Sequence, residues 1–260
     1  MSTKGLIIVS LVIGIALLSA CSTTPGPVTT PGPSSTPGPT ETPGPSSTPG
    51  PTETPGPGDR DMIEIKGSGN IISRQVDVED FNEVKVSGKG ILLIEQGVIE
   101  GLVVETDENL MEYVKVSVSN RKLQIENVVD DGYELVPTDN IYYHLKVKEI
   151  TDLALPGVVT VKCDNLQTDS LFLDVSGVNN IELSGDTNIL TISADGVGNF
   201  NGEELKTMEC NIHGTGNVDL TVSVVEKLDV GFKGIGKVNY IGNPEVTGNP
   251  GMLVDVKRID

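Results

Sequence analysis

The sequence predicts an all-β chain whose main body is a right-handed parallel β-solenoid with coils of 18–20 residues. Three observations carry that expectation. Glycines recur at Gly157, Gly177, Gly196, Gly214 and Gly234, at spacings of 20, 19, 18 and 20 residues. Apolar residues keep a fixed distance from each marker. Between them the chain alternates apolar and polar, the period of a strand.

The columns can be written out. Four residues before the markers stand Leu153, Leu173, Ile192, Cys210 and Val230, and two before stand Leu155, Val175, Ala194, Ile212 and Phe232. Four after stand Val161, Ile181, Phe200, Val218 and Val238. Stacking the coils about 4.8 Å apart turns these columns into one core and pairs the backbone as parallel ladders. Parallel crossovers are right-handed, which sets the expected hand. The five glycines are expected to be structural turns, at corners where φ > 0 excludes other residues. Asn180, Asn199 and Asn217 share the position three after their markers and are expected to stack as an amide ladder.

Each segment follows in order. Residues 1–20 read as a lipoprotein signal peptide: Lys4 supplies the positive start, and Leu6 to Leu18 form a 13-residue apolar run, too short to span a bilayer. The run ends in Leu18-Ser19-Ala20-Cys21, which resembles the lipobox of bacterial lipoproteins. The resemblance implies cleavage before Cys21 and attachment of diacylglycerol, with palmitate-type acyl chains, to its sulfur. Ser22 is no Asp-type retention signal. The expected location is therefore the extracytoplasmic face of the cell membrane, or the outer membrane where the host has one.

Residues 21–58 read as the lipidated Cys followed by a disordered linker. Twelve of the chain's 16 prolines lie between Pro25 and Pro57, in Thr-Pro-Gly-Pro units repeating every six residues. Such a segment buries no apolar surface and stays extended. At about 3.1 Å per residue its stretched length approaches 100 Å.

Residues 59–260 are the folded domain. Within 59–150 the pattern is weaker. Ile63, Ile65, Gly67 and Gly69 carry the offsets of a coil, as do Val84, Val86, Gly88, Gly90 and Leu92. From 98 to 150 it gives way to longer strands, expected to include antiparallel hairpins that cap the first end, with one helical turn over Glu108–Tyr113. Residues 151–245 are the regular coils, and 246–260 the expected C-terminal cap.

Several of these stretches resemble a known family. Phe81-Asn82-Glu83-Val84-Lys85-Val86-Ser87-Gly88, Thr106-Asp107-Glu108-Asn109-Leu110 and Leu123-Gln124-Ile125 look like the opening of the putative auto-transporter adhesin head GIN domain family. The Gly-x-Gly coils and the ending Val238-Asn239-Tyr240-Ile241-Gly242-Asn243-Pro244 are similar too. The resemblance covers roughly residues 64–245. It implies an exported, membrane-attached all-β domain and brings no catalytic residues.

Composition narrows the chemistry. With 37 acidic against 18 basic side chains and a net charge of −19, the surface repels phosphate backbones, so nucleic acid is not an expected partner. Cys163 and Cys210 fall in different columns two coils apart, farther than a disulfide reaches, and read as buried small hydrophobes. The two histidines, His144 and His213, have no zinc-type spacing and no nucleophile motif beside them. Asp130-Asp131 and Asp107-Glu108 have the chemistry for Ca²⁺, but solvated surface acid is the simpler reading in so acidic a chain. No cofactor or metal is expected.

The functional expectation is thus a non-enzymatic lipoprotein that displays a rigid β-solenoid on a tether, for adhesion or surface interaction. Its partners would be the membrane, through the lipid, and an unidentified envelope protein or glycan. A carbohydrate-binding or carbohydrate-active β-helix is the alternative. Against it, Trp is absent, and only Phe172, Tyr133, Tyr142 and Tyr143 are candidates for exposed stacking residues. An envelope scaffold or sensor is a further alternative.

Overall fold

Alternation at period two and repetition near 19 residues are satisfied by one device, a strand that coils and stacks on itself. A computed structural model describes residues 62–259; the signal segment, Cys21 and the proline-rich linker lie outside the described residues. The N-terminal part runs β1 (Ile63–Lys66), β2 (Ile71–Val76), β3 (Glu83–Val86), β4 (Lys89–Gln96), β5 (Gly101–Asp107), a 3-10 turn over Met111–Tyr113, β6 (Val114–Ser119), β7 (Lys122–Asn127), β8 (Tyr133–Val136) and β9 (Tyr142–Val147). The stack follows as β10 (Asp152–Ala154), β11 (Val158–Val175), β12 (Val178–Ala194), β13 (Val197–His213), β14 (Asn217–Val230), β15 (Ile235–Ile241), β16 (Glu245–Gly248) and β17 (Val254–Arg258).

From β10 to β17 every pairing is parallel. The result is a β-solenoid of about five turns. In β11 the buried positions are Val159, Val161 and Cys163, then Leu166, then Leu171, Leu173 and Val175, so one coil points inward from successive sides. The register shifts after Cys163, where Asn165 (φ 59°) and, one coil on, Gly185 (φ 123°) turn the chain.

The columns stand with one correction. The stacked marker in the fourth coil is Gly216, not Gly214. Phe200 pairs with Leu220, and Leu220 with Val238, while Val218 pairs with Gly198 and Gly236. Likewise Ile192 pairs with Ile212, and Cys210 lines up with Leu190 and Leu228. Asn217 lies against Val197, so the amide column is Asn180 and Asn199, continued by Asp219. The slip is two residues, which keeps every side chain on its expected face.

The reason for glycine at the markers also differs from the expected corner strain. Gly157, Gly177, Gly196, Gly216 and Gly234 lie outside the left-handed region. A Cβ on each would sit 2.0–2.2 Å from the carbonyl oxygen of the glycine stacked beside it. Close approach of one coil to the next, not φ, excludes a side chain there. Gly214 is the exception among the predicted five. It has φ 127°, and a Cβ there would also meet the Ala194 carbonyl at 2.3 Å.

The N-terminal part mixes both kinds of pairing. β3 and β4 join the stack in parallel, with Val84 opposite Leu153 and Leu92 opposite Val161. β2–β5, β5–β9 and β6–β7 are antiparallel, the hairpins expected for this region. Residues 63–66 do not form a coil of the stack. β1 pairs with β8 in a separate two-stranded sheet, and Ile63 stays 56% exposed, because no neighbouring coil supplies the next layer of its column.

Candidate interaction surface

Asp107 and its neighbours, which looked free for chemistry, are tied to the protein itself, whereas Asp130 and Asp131 stand exposed. Asp107 is fully buried. Its Oδ1 accepts from Gly69 N–H (2.7 Å) and Thr138 Oγ1 (2.8 Å), and its Oδ2 from Thr138 N–H (2.9 Å). Burial pushes this carboxyl up, but the hydrogen bonds from Thr138 and Gly69 outweigh it and hold the group below its ordinary value. Asn109 completes the clamp, accepting from Ser68 N–H and donating to the Lys66 carbonyl, both at 2.8 Å. A fully buried carboxylate that accepts three hydrogen bonds is committed to holding the fold. Among the described residues no three His, Cys, Asp or Glu side chains come together as a metal site.

A second clamp joins the cap to the stack. Asn127 Oδ1 accepts from Lys89 N–H at 2.6 Å, its Nδ2 donates to Tyr143 Oη at 3.0 Å, and Tyr143 Oη donates to the Lys89 carbonyl at 3.2 Å. Tyr143 is buried, correcting its place among the exposed stackers, and burial pushes its phenol up to about 12. A third pair, Glu100 and Lys148 at 2.8 Å, also holds Asp80 N–H. In the stack, Thr168, Thr187 and Thr207 line one inward corner. Each donates its hydroxyl to the carbonyl two residues on, at 3.1–3.2 Å.

Cys163 and Cys210 are free, buried thiols in separate columns, and burial pushes both up to about 12. His213 lies outward beside Asp195. The Thr215 hydroxyl above all, against some desolvation, then Thr215 N–H and Ser193, hold the Asp195 carboxyl below its ordinary value. His144 faces solvent, and Tyr142 stacks on it at 6.1 Å.

What the fold leaves for a partner is its repeated outward face. One residue after each marker lies a ridge, in stacking order Val158, Val178, Val197, Asn217 and Ile235. Its four apolar members are 49–56% exposed. Val158, Val178 and Val197 lie in register from coil to coil, so β-branched side chains stack there on the solvent side. Clefts of about 520 and 330 Å³ flank the Val158–Val178 end; Ile91, Pro137 and Ile141 line the first, and Val129, Tyr133 and Pro156 the second.

Another side carries Phe172, 38% exposed, with Asp152 opposite it on β10 and Asp174 two residues along β11. Asp152 Oδ1 is buried without a hydrogen-bond partner. Burial pushes this carboxyl up, and Glu83 and Asp174 add to the shift against the pull of Lys122. The ridge was not evident from the sequence, since an apolar residue after glycine reads as one more core residue. The predicted lipid site, Cys21, lies outside the described residues.

Residues 80–244 match the family described as "Putative auto-transporter adhesin, head GIN domain". No curated protein matches the chain. Among solved structures, a putative adhesin from Bacteroides fragilis aligns with a TM-score of 0.61 at 18% identity, over 75% of this chain and 100% of that one. A putative lipid binding protein from Parabacteroides distasonis aligns with a TM-score of 0.44 at 19% identity, over 76% and 100%. A putative adhesin from Parabacteroides merdae gives 0.42 at 16%, over 76% and 100%. The Bacteroides fragilis structure shares the solenoid fold.

Proposed function

Because the chain belongs to the putative auto-transporter adhesin head GIN domain family, we propose that it is a non-enzymatic adhesion module, held to the membrane by a lipid on Cys21 and carried clear of it by the Pro-rich tether. The family supports an adhesin-like role at the cell surface. The observation that carries the reading is the division of polar groups. Asp107, Asn109 and Asn127 are bound up in holding the cap, while the stack turns a ridge of β-branched side chains toward solvent. Such a face suits broad contact with a surface rather than bond-making at one point. In cells displaying the chain, Cys21→Ser should abolish lipid labelling, release the protein from membranes and remove any attachment the wild type confers. Wild-type chain with no lipid at Cys21 would overturn the anchoring.

A glycan ligand is the second reading, favoured by Phe172 between Asp152 and Asp174, an aromatic face flanked by acceptors for hydroxyl groups. A glycan array probed with the full chain tests it. Specific binding lost in Phe172→Ala would establish this reading over a purely apolar contact.

A further inference from the structure

The two ends of the solenoid are finished differently. At the first end the ladder terminates in antiparallel strands, β6 on β7 and β2 on β5. At the other end β17 lies parallel on β15, and among the described residues nothing pairs with its outer edge. Leu253 C=O and Ile259 N–H turn toward β15. Since strand groups alternate sides, Asp255 and Lys257 carry the ladder to β15, and Val256 turns its N–H and C=O to the open edge. An open edge is a template for another strand. Val254 and Val256 are only half-buried, since among the described residues no further coil covers them, and Met252 and Leu253 beside them are exposed.

The strand is self-complementary. Paired antiparallel with a second copy about Val256, it sets Val256 against Val256 of the second copy, as a hydrogen-bonded pair in which each N–H donates to the other C=O. Asp255 then lies opposite Lys257 of the second copy, and Lys257 opposite its Asp255, two opposite-charge pairs generated by one two-fold axis. That axis stands perpendicular to the sheet, so both copies keep their valines over their own interior. Charge selects this contact. A chain of net charge −19 repels itself over most of its surface, whereas at its centre this strand balances one acid, Asp255, with one base, Lys257. We infer that β17 is a homodimer contact through which two copies of this chain join end to end.

Symmetric cross-linking of the full chain in detergent tests this. Val256→Cys should form an intermolecular disulfide on oxidation, since residues opposed in a hydrogen-bonded pair lie at about 5.5 Å, within disulfide reach. Val225→Cys, exposed on the side of the stack, should not. Adding Asp255→Lys to Val256→Cys opposes like charges and should lower the cross-linked fraction at least about tenfold, the factor for roughly 1.4 kcal/mol. Adding Lys257→Asp as well restores opposite pairs and should restore the dimer. Thermal melts of the variants report whether each remains folded. No cross-link through Val256→Cys, an equal one through Val225→Cys, or a dimer indifferent to Asp255→Lys in folded protein would each overturn the inference.

Discussion

The stack and its N-terminal cap are stabilised by different means. From β10 to β15, equivalent residues sit on equivalent residues, and the core is a set of columns such as Leu153, Leu173, Ile192, Ile212 and Val230. Outside β3 and β4, which join the stack, residues 66–150 do not repeat. They are held by contacts made once, between groups 31–43 residues apart for Asp107 and Asn109. A repeated core spreads its stability over many similar apolar contacts; a cap built from single clamps concentrates it in a few polar ones.

The largest expected effect breaks the stack. Val218 is 2% exposed and points inward beside Gly198 and Gly236. Val218→Asp buries a carboxylate with no partner and should cost on the order of 4 kcal/mol or more, preventing folding. Gly216→Val should be comparable, because its Cβ would meet the Gly196 carbonyl oxygen at 2.2 Å. Thermal melts check both, and a wild-type melt for either would refute the column assignment.

The next breaks the cap and leaves the stack. Asp107→Ala strands the Gly69 and Thr138 donors and should cost about 2–3 kcal/mol, with hydrogen exchange accelerating first in β1, β2 and β8. The pH dependence has a definite sign. Asp107 is held below its ordinary value in the folded chain. Its contribution is therefore complete above the unfolded carboxylate value of about 3.9 and is lost as pH falls through the lower folded value. Melting of the wild type should drop over that acid range more steeply than melting of Asp107→Ala.

How far each region could be read from sequence follows the same division. The stack announces itself because apolar columns recur. Its one error, taking Gly214 for Gly216, has a physical cause: a shift of two residues preserves inward and outward alternation, so the pattern cannot detect it. The threonine column was equally periodic, at 168, 187 and 207, but a search for apolar repeats passes over it. In the cap, β5, β6, β7 and β9 were visible as apolar alternation, whereas β8 was not. Nothing in the sequence links Asp107 to Thr138 or Asn127 to Tyr143, because a contact made once leaves no period. The ridge at Val158, Val178 and Val197 was periodic too, but it lies outside the inward columns that the glycine spacing picks out.

A gentler probe of the stack separates its polar corner from its apolar columns. Thr207 is fully buried and donates to the Glu209 carbonyl at 3.1 Å. Thr207→Val keeps the shape, and the next residue in that column is already Val224. The loss should be about 1 kcal/mol, one hydrogen bond with no cavity. A loss as large as that of Asp107→Ala would mean that the stack also depends on single polar contacts.

The smallest effect should come from Asp219→Asn, one residue from Val218 and on the opposite face. Asp219 is exposed and uses one oxygen, Oδ1, to accept from Lys237 N–H at 2.9 Å on the next coil. Asparagine keeps an acceptor at that place and continues the amides of Asn180 and Asn199, to which Asp219 is already in register. The change removes one negative charge from a chain of net −19, which slightly reduces self-repulsion. The two terms are small, and stability should move by less than about 0.5 kcal/mol. Chemical denaturation of Asp219→Asn beside Val218→Asp checks the pair. Adjacent residues with a near-neutral and an abolishing effect are what an inward–outward alternation requires. If Asp219→Asn unfolds the chain while Val218→Asp melts like the wild type, the coil is facing the other way.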